Sequence, residues 1–160
     1  MAGFLDDLGA RASAYSPEET TVARACFNAL LTGSPAGIPD LLSRLAAPAD
    51  AVTAILAALQ QKGVLAIDAD GVTVARGLSR LPTAHRMSVN GGHVVFACCA
   101  VDAIGIPAAL GVNALVTSRC HACMAPIAIT IAGGRLVNPS PAVIIWAADT
   151  DHSRSLREYT

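Results

Sequence analysis

Four of the five cysteines fall within 26 residues, as an adjacent pair, Cys98-Cys99, and a spaced pair in Cys120-His121-Ala122-Cys123. Thiolates are soft ligands and select Hg(II), Cu(I) or Zn(II). A Cys-x-x-Cys knuckle can place two sulfurs on one ion, and a tetrahedral site takes two such knuckles. Cys98, Cys99, Cys120 and Cys123 are therefore the candidate metal ligands. Adjacent residues on a strand point to opposite faces, so Cys98 and Cys99 share an ion only if the strand ends between them. A redox reading of Cys120 and Cys123 lacks a thioredoxin-like strand-to-helix context. Asp102 follows Cys99 by three residues. If a helix begins where a strand ends, the two share a face, and a carboxylate beside a thiol can exchange a proton with it. Such a pair couples a nucleophile to a general acid. The competing reading makes Asp102 a helix cap. Some thiols are simply small buried groups. Cys26 fits that best, and Cys98 fits it as well as it fits a ligand. His121 is a metal ligand or a solvated loop residue. His93 reads as a strand-edge residue, His85 and His152 carry no inference, and Trp146 reads as core.

The elements that position these residues are legible from spacing. Ser16-Pro17-Glu18-Glu19 reads as a capping box with proline at the first helical position. It predicts a helix to about Leu31, closed by Gly33. A short helix follows over Ile38–Leu45. A third starts near Pro48, carries Val52, Ile55, Leu56 and Leu59, and ends before Gly63. Val64–Ile67 and Val72–Ala75, joined through Asp70-Gly71, read as a hairpin. Residues 16–76 thus describe a winged-helix-like module behind an N-terminal segment, 1–15. Residues 77–92 read as a polar connector that can order over the site as a lid, with Gly91-Gly92 turning into the next strand. Residues 93–149 hold predicted strands at Val94–Ala97, Leu115–Ser118, Ile127–Ile131 and Val143–Ala147, and a short helix from Asp102 to Leu110. With one crossover candidate, a mainly antiparallel sheet is expected. The fold class is α+β, with a polar tail over 150–160.

Composition narrows the function. The chain has 160 residues, is 53% hydrophobic and only 14% charged, and carries a formal net charge of −1. That excludes a disordered chain and a global positive field that would recruit nucleic acid or anionic membrane. The third helix is the one that would enter a DNA groove, yet residues 48–61 contain no Lys or Arg, the residues that supply most phosphate contacts. The apolar run from Val94 to Val112 is interrupted by Asp102, which is costly in a membrane, so a buried strand and helix are expected there. The first fifteen residues show neither a basic start nor an apolar run, so no secretory signal, and a reducing cytoplasmic compartment, are expected. The glycine pairs fit no phosphate-binding fingerprint, and no organic cofactor is expected.

Phe96-Ala97-Cys98-Cys99-Ala100-Val101-Asp102-Ala103, continued by Ile106-Pro107-Ala108-Ala109-Leu110-Gly111, resembles the active-site segment of organomercurial (alkylmercury) lyases. Val116-Thr117-Ser118-Arg119-Cys120 and Ala125-Pro126-Ile127 resemble that family's next strand, and the N-terminal helices and hairpin resemble its winged-helix-like module. The resemblance covers about residues 17–147. It implies cleavage of a carbon–mercury bond, with Cys99 as a catalytic cysteine, Asp102 as the catalytic aspartate and Cys120 as a more structural cysteine. The family carries a second catalytic cysteine downstream of the region matching Asn138-Pro139, whereas no cysteine follows Cys123 here. Cys123 is the expected substitute, with Cys98 as the other candidate.

Three functions follow as expectations. The first is a lyase acting on an organomercurial through Cys99, Asp102 and Cys123. The second is a protein of the same fold that binds Hg, Cu(I) or Zn, or a metal–thiol species, through the four cysteines without cleavage. The third, disfavoured by the bare third helix, is a metal-sensing regulator. A thiol-bearing acceptor protein is the expected partner for the released metal.

Overall fold

The structure, a computed structural model, describes residues 15–45 and 47–137. The strand expected at Val143–Ala147, Trp146, His152 and the 150–160 tail lie outside the described residues, as do 1–14.

Helix α1 (Pro17–Thr32) forms with the expected capping box. Ser16 Oγ accepts the Glu19 N–H at 3.1 Å, and Glu19 Oε2 accepts the Ser16 N–H at 2.9 Å. These bonds satisfy donors that a helix start leaves orphaned. Gly33, at φ 65°, closes the helix in the left-handed conformation. Val22, Ala23, Cys26, Ala29 and Leu30 form its buried face. Helix α2 (Ile38–Arg44) buries Leu41. Helix α3 (Ala49–Gln61) buries Val52, Leu56 and Leu59, and Pro48 caps it from just outside.

Strands β1 (Leu65–Asp68) and β2 (Gly71–Ala75) pair through the two-residue turn Ala69-Asp70, one residue earlier than the expected Asp70-Gly71, with Gly71 opposite Asp68. There follow β3 (Leu78–Ser79), β4 (His85–Val89), β5 (Val94–Ala97), helix α4 (Ala100–Leu110), β6 (Ala114–Arg119), β7 (Pro126–Ala132) and β8 (Arg135–Val137). All the pairings are antiparallel, in the order β1-β2-β3-β5-β4-β6-β7-β8. The α+β, antiparallel expectation holds.

Residues 77–92 correct the expectation of a polar connector. They supply β3 and β4, and β4 lies between β5 and β6 near the middle of the sheet. Only Met87 of His85–Val89 is fully buried, so the polar residues around it hide the strand signal. β3 pairs with β2 on one side and with β5 on the other, so one sheet runs through the hairpin and the cysteine-bearing half. The turn before β5 centres on Asn90 (φ 50°) and Gly91 (φ 69°), one residue earlier than Gly91-Gly92. Positive φ at both central residues suits the right-handed twist of a hairpin.

The apolar run 94–112 divides into β5 and α4, as expected. Among the described residues no single helix is long and apolar enough to cross a membrane. One core extends from the helices to the sheet, with Leu41, Leu59, Leu78, Met87 and Ile131 fully buried. Truncating such a side chain to alanine costs about 2–5 kcal/mol.

Candidate active site

The chain leaves β5 at Ala97 and starts α4 at Ala100, and the cysteine pair makes the corner. Cys98 is buried, and its N–H donates to the Gly77 carbonyl at 2.8 Å. Cys99 is half-buried and extended (φ −146°, ψ 172°), and it is the N-cap of α4. Its Sγ accepts the Asp102 N–H at 3.4 Å, and its S–H donates to Asp102 Oδ2 at 3.0 Å. This corrects the reading of Asp102 as the cap. Sulfur caps the helix, and the aspartate at the third helical position reaches back to it. Burial, and then the hydrogen bond to Asp102, push the Cys99 thiol up to about 11. Both effects penalise the thiolate, so Cys99 carries its proton at neutral pH.

Gly77 closes the site from below. It sits in the two-residue turn between β2 and β3, at φ 84°, next to Arg76 at φ 47°. Its Cα faces the Asp102 carboxylate directly.

His85 carries no inference from sequence, yet it belongs to this neighbourhood. It pairs across the sheet with Ala97, and its Nδ1 lies 2.9 Å from Ser118 Oγ on β6. Thr83 braces it: Thr83 Oγ1 accepts the His85 N–H at 3.1 Å and donates to the Ala97 carbonyl at 2.6 Å. Burial lowers the imidazole's pKa, and the charge of Asp102 partly restores it. The only signal that finds His85 is strand register, which places it beside both Ala97 and Ser118.

The same register sets the place of the second cysteine pair. Ala97, His85, Ser118 and Ile127 lie in one row across β5, β4, β6 and β7. Cys99 and Cys120 each follow the end of this row, two strands apart, or about 10 Å at the usual strand spacing. The turn from β6 to β7 is tied by Cys120 N–H to Ala125 O (2.9 Å), by Met124 N–H to Cys120 O (2.8 Å) and by Arg119 Nη1 to Met124 O (3.3 Å). Hydrogen bonding from the Cys123 and Ala122 backbones, and then from the Cys123 side chain, holds the Cys120 thiol below the ordinary value. Cys123 and His121 are exposed, and the solvated reading of His121 holds.

None of the cysteines forms a disulfide among the described residues. Nor does any group of three or more His, Cys, Asp and Glu gather there as a metal cage. Cys99 is brought to Asp102 and Cys120 to Cys123, while Cys98 and Cys26 sit in the core. Burial pushes the Cys26 thiol up to about 11. An open groove of about 530 Å³ runs along the ends of β4, β6 and β7, lined by Thr83, Arg86, Thr117, Ser118, Arg119 and Ile127 among others. Cys99 does not line it, and Thr83 and Ser118 form the wall it shares with His85.

The family model for alkylmercury lyase matches residues 78–160, more than half of the chain. The chain belongs to the alkylmercury lyase family. Cys99, Asp102, Cys120 and Cys123 all lie within the matched segment. The alkylmercury lyase of Staphylococcus epidermidis is 28% identical over 135 residues, covering 84% of this chain and 61% of the relative. That of Bacillus cereus is 30% identical over 132 residues, covering 81% and 59%. The chain thus spans about three fifths of these alkylmercury lyases. The crystal structure of the mercury-bound form of MerB2 superposes with a TM-score of 0.81, over 93% of this chain and 73% of that one, at 23% identity. That likeness establishes the alkylmercury lyase fold from helices to sheet.

Proposed function

We propose that this chain cleaves the carbon–mercury bond of an organomercurial by protonolysis, with Cys99 and Asp102 as the reacting pair. The observation that carries the reading is the 3.0 Å hydrogen bond from the Cys99 thiol to Asp102 Oδ2. As the Cys99 sulfur bonds to mercury and displaces the anion X of R–Hg–X, its S–H bond breaks and the proton passes to the Asp102 carboxylate. The Cys123 thiol gives up its proton to solvent as its sulfur adds to the metal, and this second sulfur raises electron density on the bound carbon. Asp102 then returns the proton to that carbon, which keeps the electron pair of the C–Hg bond and leaves as R–H. Hg(II) remains as a dithiolate, ready for exchange onto an acceptor thiol. The raised Cys99 ionisation supports this order, because the proton needed at carbon is retained until mercury displaces it.

A second reading, soft-metal binding without cleavage, draws on the Cys120–Cys123 turn, where two sulfurs already interact. The deciding experiment is benzene release from a phenylmercury salt by the reduced protein with excess small thiol, with bound mercury counted in the same samples. Release that disappears in Cys99→Ala is the expected result. In Cys123→Ala, release falls about tenfold, equal to about 1.4 kcal/mol of barrier. Tight mercury uptake with no benzene from the wild-type chain overturns the lyase reading in favour of binding.

A further inference from the structure

We propose that Gly77 is a positioning residue for Asp102: the β2–β3 turn is the seat on which the carboxylate rests while it faces the Cys99 thiol. The inference rests on reading Asp102 as the proton carrier, and it extends the site beyond the matched family segment, which begins at Leu78.

Two observations meet at this glycine. The first is steric. A Cβ built on Gly77 falls 2.5 Å from Asp102 Cγ and 2.9 Å from Oδ2, and closer still to Oδ1. All three are distances that real Cβ atoms essentially never show. The nearest atoms are thus the whole carboxylate, so any side chain here displaces the group that accepts the Cys99 proton. The second is the backbone. The Gly77 carbonyl accepts the Cys98 N–H at 2.8 Å, which fixes the strand end one residue before the sulfur that caps α4. One residue therefore holds the corner that carries Cys99 and leaves the space that Asp102 fills. Its φ of 84° is a conformation that glycine adopts freely and L side chains resist.

The groups that bear on the carboxylate come from three directions. Cys99 approaches from its own helix, His85 acts electrostatically from β4, and Gly77 supplies the floor. The Cys99 thiol can be met by the carboxylate in several poses, and His85 acts on it through charge alone. The floor is what selects among them. Aspartate has only two side-chain torsions, so a surface flush against its carboxylate fixes both. Holding a reacting group in a productive pose is a large part of catalysis, and a displacement of about 1 Å can cost about a hundredfold in rate.

The test compares Gly77→Ala in the wild-type and Asp102→Ala backgrounds, using the full chain. In the wild type, we expect kcat for phenylmercury cleavage to fall about ten- to a hundredfold, with KM and mercury uptake within about twofold. Alkylation of Cys99 at pH 8, followed by peptide mass spectrometry, is expected to rise several-fold as the thiol loses its acceptor. In Asp102→Ala, adding Gly77→Ala leaves Cys99 alkylation unchanged and costs less thermal stability than in the wild type, because the obstructing carboxylate is gone. Unchanged alkylation and cleavage in Gly77→Ala overturn the proposal. So does an equal stability cost in both backgrounds, which would be backbone strain alone. If Gly77→Ala does not fold, recovery of folding in the double variant supports the seat, and failure of both overturns it. A wild-type chain that releases no benzene defeats the lyase reading, while the alkylation and stability arms still decide on Gly77.

Discussion

Cys99 and Cys120 follow the same end of one sheet, two strands apart, and their sulfurs are prepared in opposite ways. The Cys99 thiol is half-buried and donates its proton to a carboxylate. Cys120, half-buried as well, sits in a turn where hydrogen bonding from Cys123 and Ala122 lowers the thiol's ionisation. Burial does most to raise the first, and the direction of the hydrogen bonds adds to the contrast. An acceptor in front of a thiol secures the proton, and donors around a sulfur favour its loss. The protonolysis proposed above takes its proton from the first kind of sulfur, and the turn that holds Cys120 also carries Cys123, the proposed second ligand.

Replacing Asp102 with alanine strikes the buried side of this contrast and has the largest expected effect. Benzene release should fall by about 10²–10⁴-fold, the range for loss of a positioned acid–base group, while mercury uptake by Cys99 persists. Equal loss of cleavage and uptake would mean that the aspartate only supports the fold. Alkylation of the native protein sharpens the contrast without a mutation. At pH 8 a thiol held at about 11 has roughly a hundredfold less thiolate than an ordinary one, so Cys120 should be modified well before Cys99. Mass-spectrometric time courses that show the reverse order would undo the comparison. The smallest effect is on stability. Cys99 and Cys26 ionise at higher pH folded than unfolded, so their contribution is whole below about pH 9 and is lost as pH rises towards about 11. Urea midpoints should fall across that window, and Cys26→Ala should flatten the fall. A slope unchanged in Cys26→Ala would remove that cysteine from the account.

What the sequence made legible was local. The Ser16–Glu19 capping box, the β1–β2 hairpin (with its turn one residue earlier than Asp70-Gly71) and the three-residue step from Cys99 to Asp102 are all set by neighbours within one helical turn or one tight turn, where spacing and geometry nearly coincide. The reading of Asp102 as the cap follows from residue type alone and fails because sulfur, which is not among the usual capping atoms, takes that place. The rest depends on register between distant strands. His85 meets Ser118 thirty-three positions later, and Gly77 meets Asp102 only because β3 pairs with β5. β3, β4 and the three-residue β8 are short or polar, so no run of alternating hydrophobicity announces them. The expected four-cysteine cage also turned on register, which sets Cys120 two strands from Cys99 and leaves Cys98 in the core.

Leu78 and Ser79 are two residues long as a strand, yet they work as a keystone. Each is buried, and together they bond to β2 on one flank and β5 on the other. Lift them out and the arch falls into two piers, the helices with their hairpin and the strands with α4. The second pier keeps the thiol, the carboxylate and the histidine, but the floor under the carboxylate stays with the first. The helical half is thus masonry of the candidate site itself, joined to it through the two residues of β3, the Cys98–Gly77 hydrogen bond and the shared core.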